Sequence, residues 1–379
     1  MIDLIDGNVS AAIAAKLARV KCVPCFPITP QTEIIETIQK WTVDGTWKDV
    51  QFTQLESEHS AMSAAFGAQA TGSRTFTATS SQGLFLMHEM LPIIAGARAP
   101  MVLVNVSRGV SSPITLWPDH NDVLAMRDTG FITYICETNQ EVLDSIIIAY
   151  KVGENKTISL PSIVNMDGFI HSYTRTQVDI PKQSLVDKFL PKLEMPITLD
   201  IKAPKTLGIP TLGDYMRFRE QLHKAQLDSF KVIKQAHNEW YKLTKRKYDF
   251  VESYKLKDAQ AAIVIMGPNT TIARAAVDNL RKKGVKVGLL RIRLYRPLPE
   301  SEIREALKNI KKIAVVDQNI CPGMSGIMYP EIKACLYGSQ NIISNYIAGL
   351  GGKAISQEEL EVVLTETLNT KQELRKWLL

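Results

Sequence analysis

In Val50–Gly83, VQFTQLESEHSAMSAAFGAQATGSRTFTATSSQG, two strand-like runs flank one helical run. Val50–Leu55 reads as a short strand. Ser57 stands where an N-cap belongs, its hydroxyl placed to accept a free N–H of the first turn, ahead of the Ala-rich run Glu58–Thr71. Thr75–Thr79 is rich in β-branched residues, which favour strands. The same alternation extends outward on both sides. Val20–Phe26 is strand-like before it; Gln82–Ala97 predicts one helix and Met101–Val106 the next strand after it. Strand–helix–strand units this close predict an α/β fold, a parallel sheet with helices on both faces. Crossovers in such sheets are right-handed, and ligands gather at the carboxyl ends of the strands.

Beyond this block the pattern changes. Residues 181–210 carry Pro181, Pro191, Pro196, Pro204 and Pro210 and predict an extended connector. From Asp214 to about Tyr254, Phe218, Leu222, Leu227, Phe230, Ile233, Trp240 and Leu243 recur at helical spacing, which predicts one or two long amphipathic helices. The basic run Lys242–Lys247 fits either a phosphate-binding patch or a solvated helix face. Ala261–Met266 opens a second strand–helix block that continues through Val285–Ile292 and Lys312–Asp317, with a late loop at Gly349–Gly352 and a last helix at Gln357–Leu368. The expected division is therefore residues 1–250, including a connector over 181–254, and residues 255–379.

With 379 residues the chain is long enough to bury two cores without staples. The net charge of +6 is a mild excess, compatible with phosphate ligands but not a nucleic-acid signature. Five cysteines in a chain this long argue against a disulfide framework and for a reducing compartment. Met1–Asp6 shows no basic leader followed by an apolar run, and no apolar stretch is long enough to span a membrane; a cytoplasmic protein is expected.

Several residues could carry chemistry. Pro27 and Pro30 stiffen the end of a strand and display Thr29, whose hydroxyl either donates to an anionic ligand or caps a helix beginning near Gln31. Glu56 and Glu58 sit at a strand-to-helix junction. The helix dipole accounts for acidic residues there; the small residues that follow also let another surface approach, so that Glu58 could bind a protonatable cofactor nitrogen. Arg108 lies just past a strand and offers a planar fork for a carboxylate or phosphate, or a surface ion pair. The polar run Asp119-His120-Asn121-Asp122 suggests an ordered site or interface; one His between acids is thin evidence for a metal, and none is expected. Cys22 and Cys25 read as buried core thiols. Met266–Thr270 reads as a strand-to-helix turn. There is no G-x-x-x-x-G-K-S/T, G-x-S-x-G or H-E-x-x-H motif.

As a set, Phe26-Pro-Ile-Thr-Pro30, Glu56-Ser-Glu58, Thr77-Ala-Thr-Ser-Ser-Gln-Gly83, Arg108, Asp119-His-Asn-Asp122, Arg127-Asp-Thr-Gly130, Val287–Pro297 and Gly349–Gly352 resemble the alpha subunit of the 2-oxoacid:ferredoxin oxidoreductases, the pyruvate enzyme above all. The resemblance runs in order along nearly the whole chain. It implies a pyrimidine-binding domain of the thiamine-diphosphate fold followed by a transketolase C-terminal-like domain. The family's G-D-G pyrophosphate motif and ferredoxin-type cysteine run are absent, so the resemblance assigns them to beta and delta subunits, with a gamma subunit completing the assembly. Carried over by motif, Glu58 would bond the pyrimidine ring of thiamine diphosphate, while Thr29 and Arg108 would hold the carboxylate and keto group of the 2-oxoacid. Coenzyme A would be co-substrate, iron–sulfur clusters would lie in partner chains and not in this one, and ferredoxin would take or supply the electrons.

Phe26 departs from the family's usual Tyr and removes one hydroxyl beside the site, which bears on substrate placement. The Trp117-Pro118-Asp119-His120 version resembles the pyruvate and branched-acid enzymes more than the 2-oxoglutarate enzyme, and Thr29 argues against oxalate. Two other readings are the beta component of a 2-oxoacid dehydrogenase, which needs no ferredoxin, and a non-catalytic scaffold recruiting an acidic partner through basic helices.

Overall fold

The computed structural model describes residues 1–204, 206 and 213–379; of the five connector prolines, Pro210 lies outside the described residues. The first sheet runs in the order Leu294–Arg296, Ile132–Ile135, Ser162–Asp167, Val102–Ser107, Phe76–Thr79. All its pairs are parallel except the one made by Leu294–Arg296. Cys22–Cys25 pairs in parallel with Gln51–Gln54 and reaches the sheet through a bridge from Cys22 to Thr75. Val102–Ser107 is buried at every position. That is the signature of a central parallel strand covered on both faces, and it explains why this segment shows no polar alternation.

The helices follow local signals closely. Ser57 caps Glu58–Ala70 by accepting from Ser60 N at 3.2 Å. The predicted single helix over Gln82–Ala97 is instead two, Ser81–Met87 and Met90–Gly96. Pro92 has no N–H to give the His88 carbonyl, so the ladder breaks one turn earlier; Leu91 N supplies a shorter-range bond to that carbonyl at 3.2 Å.

The connector contains its own helix, Gln183–Phe189, followed by residues 190–199 outside helices and strands. Tyr215–Thr244 is then one helix of 30 residues. Its buried face is made by Leu222, Ala225, Ser229, Ile233, Ala236, His237 and Trp240. Phe218 and Leu227, counted as core by spacing, point outward; small residues carry the stripe because they let the helix lie close against Asn139–Gly153. Trp240 meets Phe189 edge-to-face at 4.9 Å, and burying a side chain of this size contributes about 3 kcal/mol. Of the basic run, Lys242, Lys245 and Lys247 are exposed, as a solvated face requires, and only Arg246 turns inward. Arg246 is held by Asp144 at 2.5 Å and by Asp179 at 2.9 Å.

The second sheet runs Arg375–Trp377, Ile342–Ile347, Lys312–Asp317, Ala261–Ile265, Val287–Ile292, Val251–Tyr254, parallel but for the last pair. Two strands complicate the expected partition. Val251–Tyr254, from the end of the connector, edges the second sheet, and Leu294–Arg296 crosses back to edge the first. This crossing carries a buried ionic seam: Arg291 donates to Glu141 at 2.5 Å, Arg293 pairs with the same carboxylate, and Arg274 donates to Glu137 at 2.9 Å. Burial pushes Glu141 up, but Arg291 and Arg293 outweigh it and leave the carboxyl below its ordinary range. Among the described residues no helix is long and apolar enough to cross a membrane.

Candidate active site

The loops that follow Cys22–Cys25, Gln51–Gln54, Phe76–Thr79 and Val102–Ser107 bring the predicted residues together at the carboxyl ends of the first sheet. Arg108 is the centre. Its Nη1 donates to the Thr29 carbonyl at 2.7 Å and its Nη2 to Gln82 Oε1 at 2.8 Å. Its Nε is buried and has no partner among the described residues. An exposed ion pair is thereby excluded for this residue, which is only 8% exposed.

The backbone under Arg108 is fixed by Asp122. This fully buried carboxylate accepts from Arg108 N and Ser81 N, both at 3.1 Å, from Asn105 Nδ2 at 3.0 Å and from Ser107 Oγ at 3.1 Å. Burial lifts its pKa, and these donors pull against the lift. Ser81 has φ +47°, a conformation L residues rarely adopt; bonds from its N–H to Asp122 and from its Oγ to the Gly109 carbonyl at 2.8 Å over-determine it.

Glu58 is the first residue of its helix, yet its side chain turns inward and is almost fully buried. Burial raises its pKa, while its own backbone N–H and Arg108 lower it. Its carboxylate lies against Gly83, where a Cβ would stand 2.5 Å from Glu58 Oε1 and against Thr79 Oγ1. Around this cradle, Thr79 Oγ1, Ser80 Oγ, Gln82 Nε2 and Arg108 Nε are all buried without partners among the described residues. So many orphaned polar atoms in one place mark a surface built to meet a polar ligand.

Thr29 is exposed, and its hydroxyl makes no bond among the described residues. It does not cap the following helix, Thr32–Val43, whose N-cap is Gln31 without a side-chain bond. Gln31 is buried and bonds Ala78 O at 2.8 Å instead. Gln31, Ser81, Gln82, Asn105 and Asp122 were not read from the sequence as individual site residues. The density of polar residues in 77–83 and 119–122 was the local signal for Ser81, Gln82 and Asp122; Gln31 and Asn105 had none.

The polar run 119–122 is ordered by bonds to Gly351 N, Gln318 O and Ile320 N of the second block. The Asp119 carboxylate faces Gly351 N at 3.3 Å, whereas the Asp122 carboxylate faces Arg108. Burial pushes His120 down to about 4, so it is neutral, and its ring sits against Gly267. Among the described residues no three His, Cys, Asp or Glu side chains gather as metal ligands. Cys25 is buried and its thiol is pushed up to about 12. A cavity of about 560 Å³, lined by Arg127, Arg219, Arg296 and Glu331, holds none of Thr29, Glu58 or Arg108.

Two family models match in succession: pyruvate flavodoxin/ferredoxin oxidoreductase, thiamine diphosphate-binding, over residues 13–238, and pyruvate:ferredoxin oxidoreductase core domain II over residues 259–360. The chain belongs to the 2-oxoacid:ferredoxin oxidoreductases. Within this oxidoreductase family it is 42% identical over 373 residues to the pyruvate synthase subunit PorA of Methanothermobacter thermautotrophicus, covering 98% of this chain and 97% of that one. It is 43% identical over 365 residues to the ketoisovalerate oxidoreductase subunit VorA of Pyrococcus furiosus, covering 95% and 92%. The fold matches a 2-oxoglutarate:ferredoxin oxidoreductase from Magnetococcus marinus, solved with 2-oxoglutarate, coenzyme A and succinyl-CoA, at a TM-score of 0.74 and 20% identity. That match covers 97% of this chain and 65% of the other. A split-gene transketolase matches at a TM-score of 0.56, 10% identity and 98% coverage of this oxidoreductase chain.

Proposed function

We propose that this chain is the alpha subunit of a cytoplasmic enzyme that oxidatively decarboxylates pyruvate, or a branched relative, with coenzyme A, passes the electrons to ferredoxin, and runs in reverse as pyruvate synthesis. The observation that carries the reading is Arg108: a buried guanidinium, braced on Thr29 O and Gln82 Oε1, with an unused donor. Such a fork holds a carboxylate strongly because the bonds are charge-assisted. Thr29, whose carbonyl braces this arginine, has a hydroxyl without a bond among the described residues, which would donate to the keto oxygen.

Thiamine diphosphate fits the cradle made by Glu58, Gly83 and the orphaned atoms of 79–82. When bound, it supplies the nucleophilic carbon and the electron sink for decarboxylation. Glu58 would bond a ring nitrogen of the pyrimidine; a carboxylate whose pKa burial has raised shares a proton readily with such a base. Gly83 leaves the room and Asp122 keeps Arg108 in place. We assign the pyrophosphate site and the iron–sulfur clusters to beta, gamma and delta partners. In support, Cys25 and Cys136 lie buried in separate parts of the first block, and Phe85, Leu86, Trp117 and Phe169 are exposed apolar residues on the site side. The domain division at 250–255 belongs to the same reading.

The test is an oxygen-free preparation of the tagged chain with its partners, assayed for coenzyme A-dependent viologen reduction with pyruvate and with 2-oxoisovalerate. Arg108→Ala is expected to lower the rate at least about tenfold, since bonds to charged groups are worth roughly 1.5–3 kcal/mol. Turnover left intact would instead favour the scaffold reading, and turnover with lipoamide but not ferredoxin the dehydrogenase reading.

A further inference from the structure

In an open parallel sheet a ligand sits where the strand order reverses. In the second sheet that point lies between Ala261–Ile265 and Lys312–Asp317. No open crevice is left there, because a loop of the first block fills it. His120 presses on Gly267, just past the first of these strands. Gln318, just past the second, clamps the loop from both sides. Its carbonyl accepts from His120 N at 2.7 Å, and its Nε2 donates to Pro118 O at 3.4 Å and to Gly349 O at 3.2 Å. Its Oε1 accepts from Asn269 Nδ2 at 3.0 Å, so the amide orientation is determined. Gly352 N adds a bond to Pro118 O at 2.8 Å, and Ile320 N one to Asn121 Oδ1 at 2.8 Å.

The clamped loop leads directly to Arg108. Trp117 O accepts from Gly109 N at 2.9 Å, so the backbone beside Pro118 is bonded to the residue after Arg108. A Cβ on Gly109 would lie 3.1 Å from Asp119 Oδ2, which also takes the N–H of Gly351. An unbroken chain of short-range bonds therefore runs from Gln318 through Pro118, Trp117 and Gly109 to the arginine.

We propose that Gln318 is a positioning residue: from the second sheet it sets the place of the Arg108 guanidinium. The proposal rests on Arg108 being the group that holds the 2-oxoacid. The side chain of Gln318 has no direct bond to Thr29, Glu58, Gln82 or Arg108 among the described residues. It acts only through the loop. A misplaced arginine weakens its grip on the substrate without altering the site for a second substrate.

The test uses the assembled enzyme with Gln318→Ala, Gln318→Glu and, alongside, Arg108→Ala. Gln318→Glu keeps the acceptor for Asn269 but loses the two N–H donations to Pro118 and Gly349. Both Gln318 variants are expected to raise KM for the 2-oxoacid roughly fivefold, the scale of one or two lost hydrogen bonds, with KM for coenzyme A unchanged. A residue that only supported the fold would reduce the amount of active enzyme, hence apparent kcat, and leave KM alone. If KM for the 2-oxoacid stays at the wild-type value in both variants while Arg108→Ala raises it, the brace is wrong and the arginine reading stands. If Arg108→Ala also has no effect, the proposed function itself falls. Failure of both Gln318 variants to assemble would make Gln318 a folding residue and overturn the proposal.

Discussion

At Gly83 a methyl group would stand 2.5 Å from the Glu58 carboxylate and against Thr79 Oγ1. Both neighbours are side chains of the candidate site rather than backbone, so a larger residue moves the site before it breaks the fold. Gly83→Ala is therefore expected to give folded protein whose partner complex turns over at least about tenfold more slowly, because small displacements of a positioned group are costly. An alanine variant with wild-type kcat would show that the Glu58 carboxylate need not lie where it does. At this scale strand ends and helix starts marked Thr29, Glu58 and Arg108 as candidates, and the family resemblance singled them out. Gln82 and Asp122 were not. Their roles come from Arg108 and Ser81, partners 14 to 41 residues away whose approach no local pattern encodes.

The strand Lys312–Asp317 ends in a buried carboxylate that accepts from Asn319 Nδ2, Met328 N, Asn345 Nδ2 and Tyr329 N. It ties the loop after the strand to the next helix, and a Cβ on Gly326 would collide with it. Burial nevertheless pushes Asp317 up to about 6, from an ordinary 3.8, against those donors. A group whose folded pKa is raised contributes stability that is full below the unfolded value and is lost as pH rises through the folded one. Between pH 4 and pH 7 the stability of wild type relative to Asp317→Asn should fall by about 2 kcal/mol. The lost acceptor oxygen shifts the whole curve; its slope is the test, and a flat difference in urea unfolding across that range would refute the raised carboxyl. Among elements, the capped helix Glu58–Ala70 was fully legible. The helix Tyr215–Thr244 was legible in existence but not in face, since Phe218 and Leu227 obey the spacing and still point outward.

Across the whole molecule the two sheets are joined by charge as much as by apolar packing. Arg291 and Arg293 come from the second block and Glu137 and Glu141 from the first, and all four are buried. Removing one partner of a buried pair leaves the other charge uncompensated, which costs about 3–5 kcal/mol. Glu141→Ala should show a loss of that size in chemical denaturation. A loss below about 1 kcal/mol would mean that water reaches the seam.

While Thr29, Glu58 and Arg108 stood out as a set only through the family resemblance, local chemistry along the chain was enough for the α/β class, most strand and helix positions and the hydroxyl cap at Ser57. These depend on hydrophobic periodicity and capping, which act over a few residues. The break at His88, the return of Leu294–Arg296 to the first sheet, the pairing of Arg246 with Asp144 and Asp179 and the network beneath Arg108 depend on which distant segments pack together. Those choices minimise unpaired buried polar groups over the whole molecule, and no single segment contains both halves of the pairs that decide them.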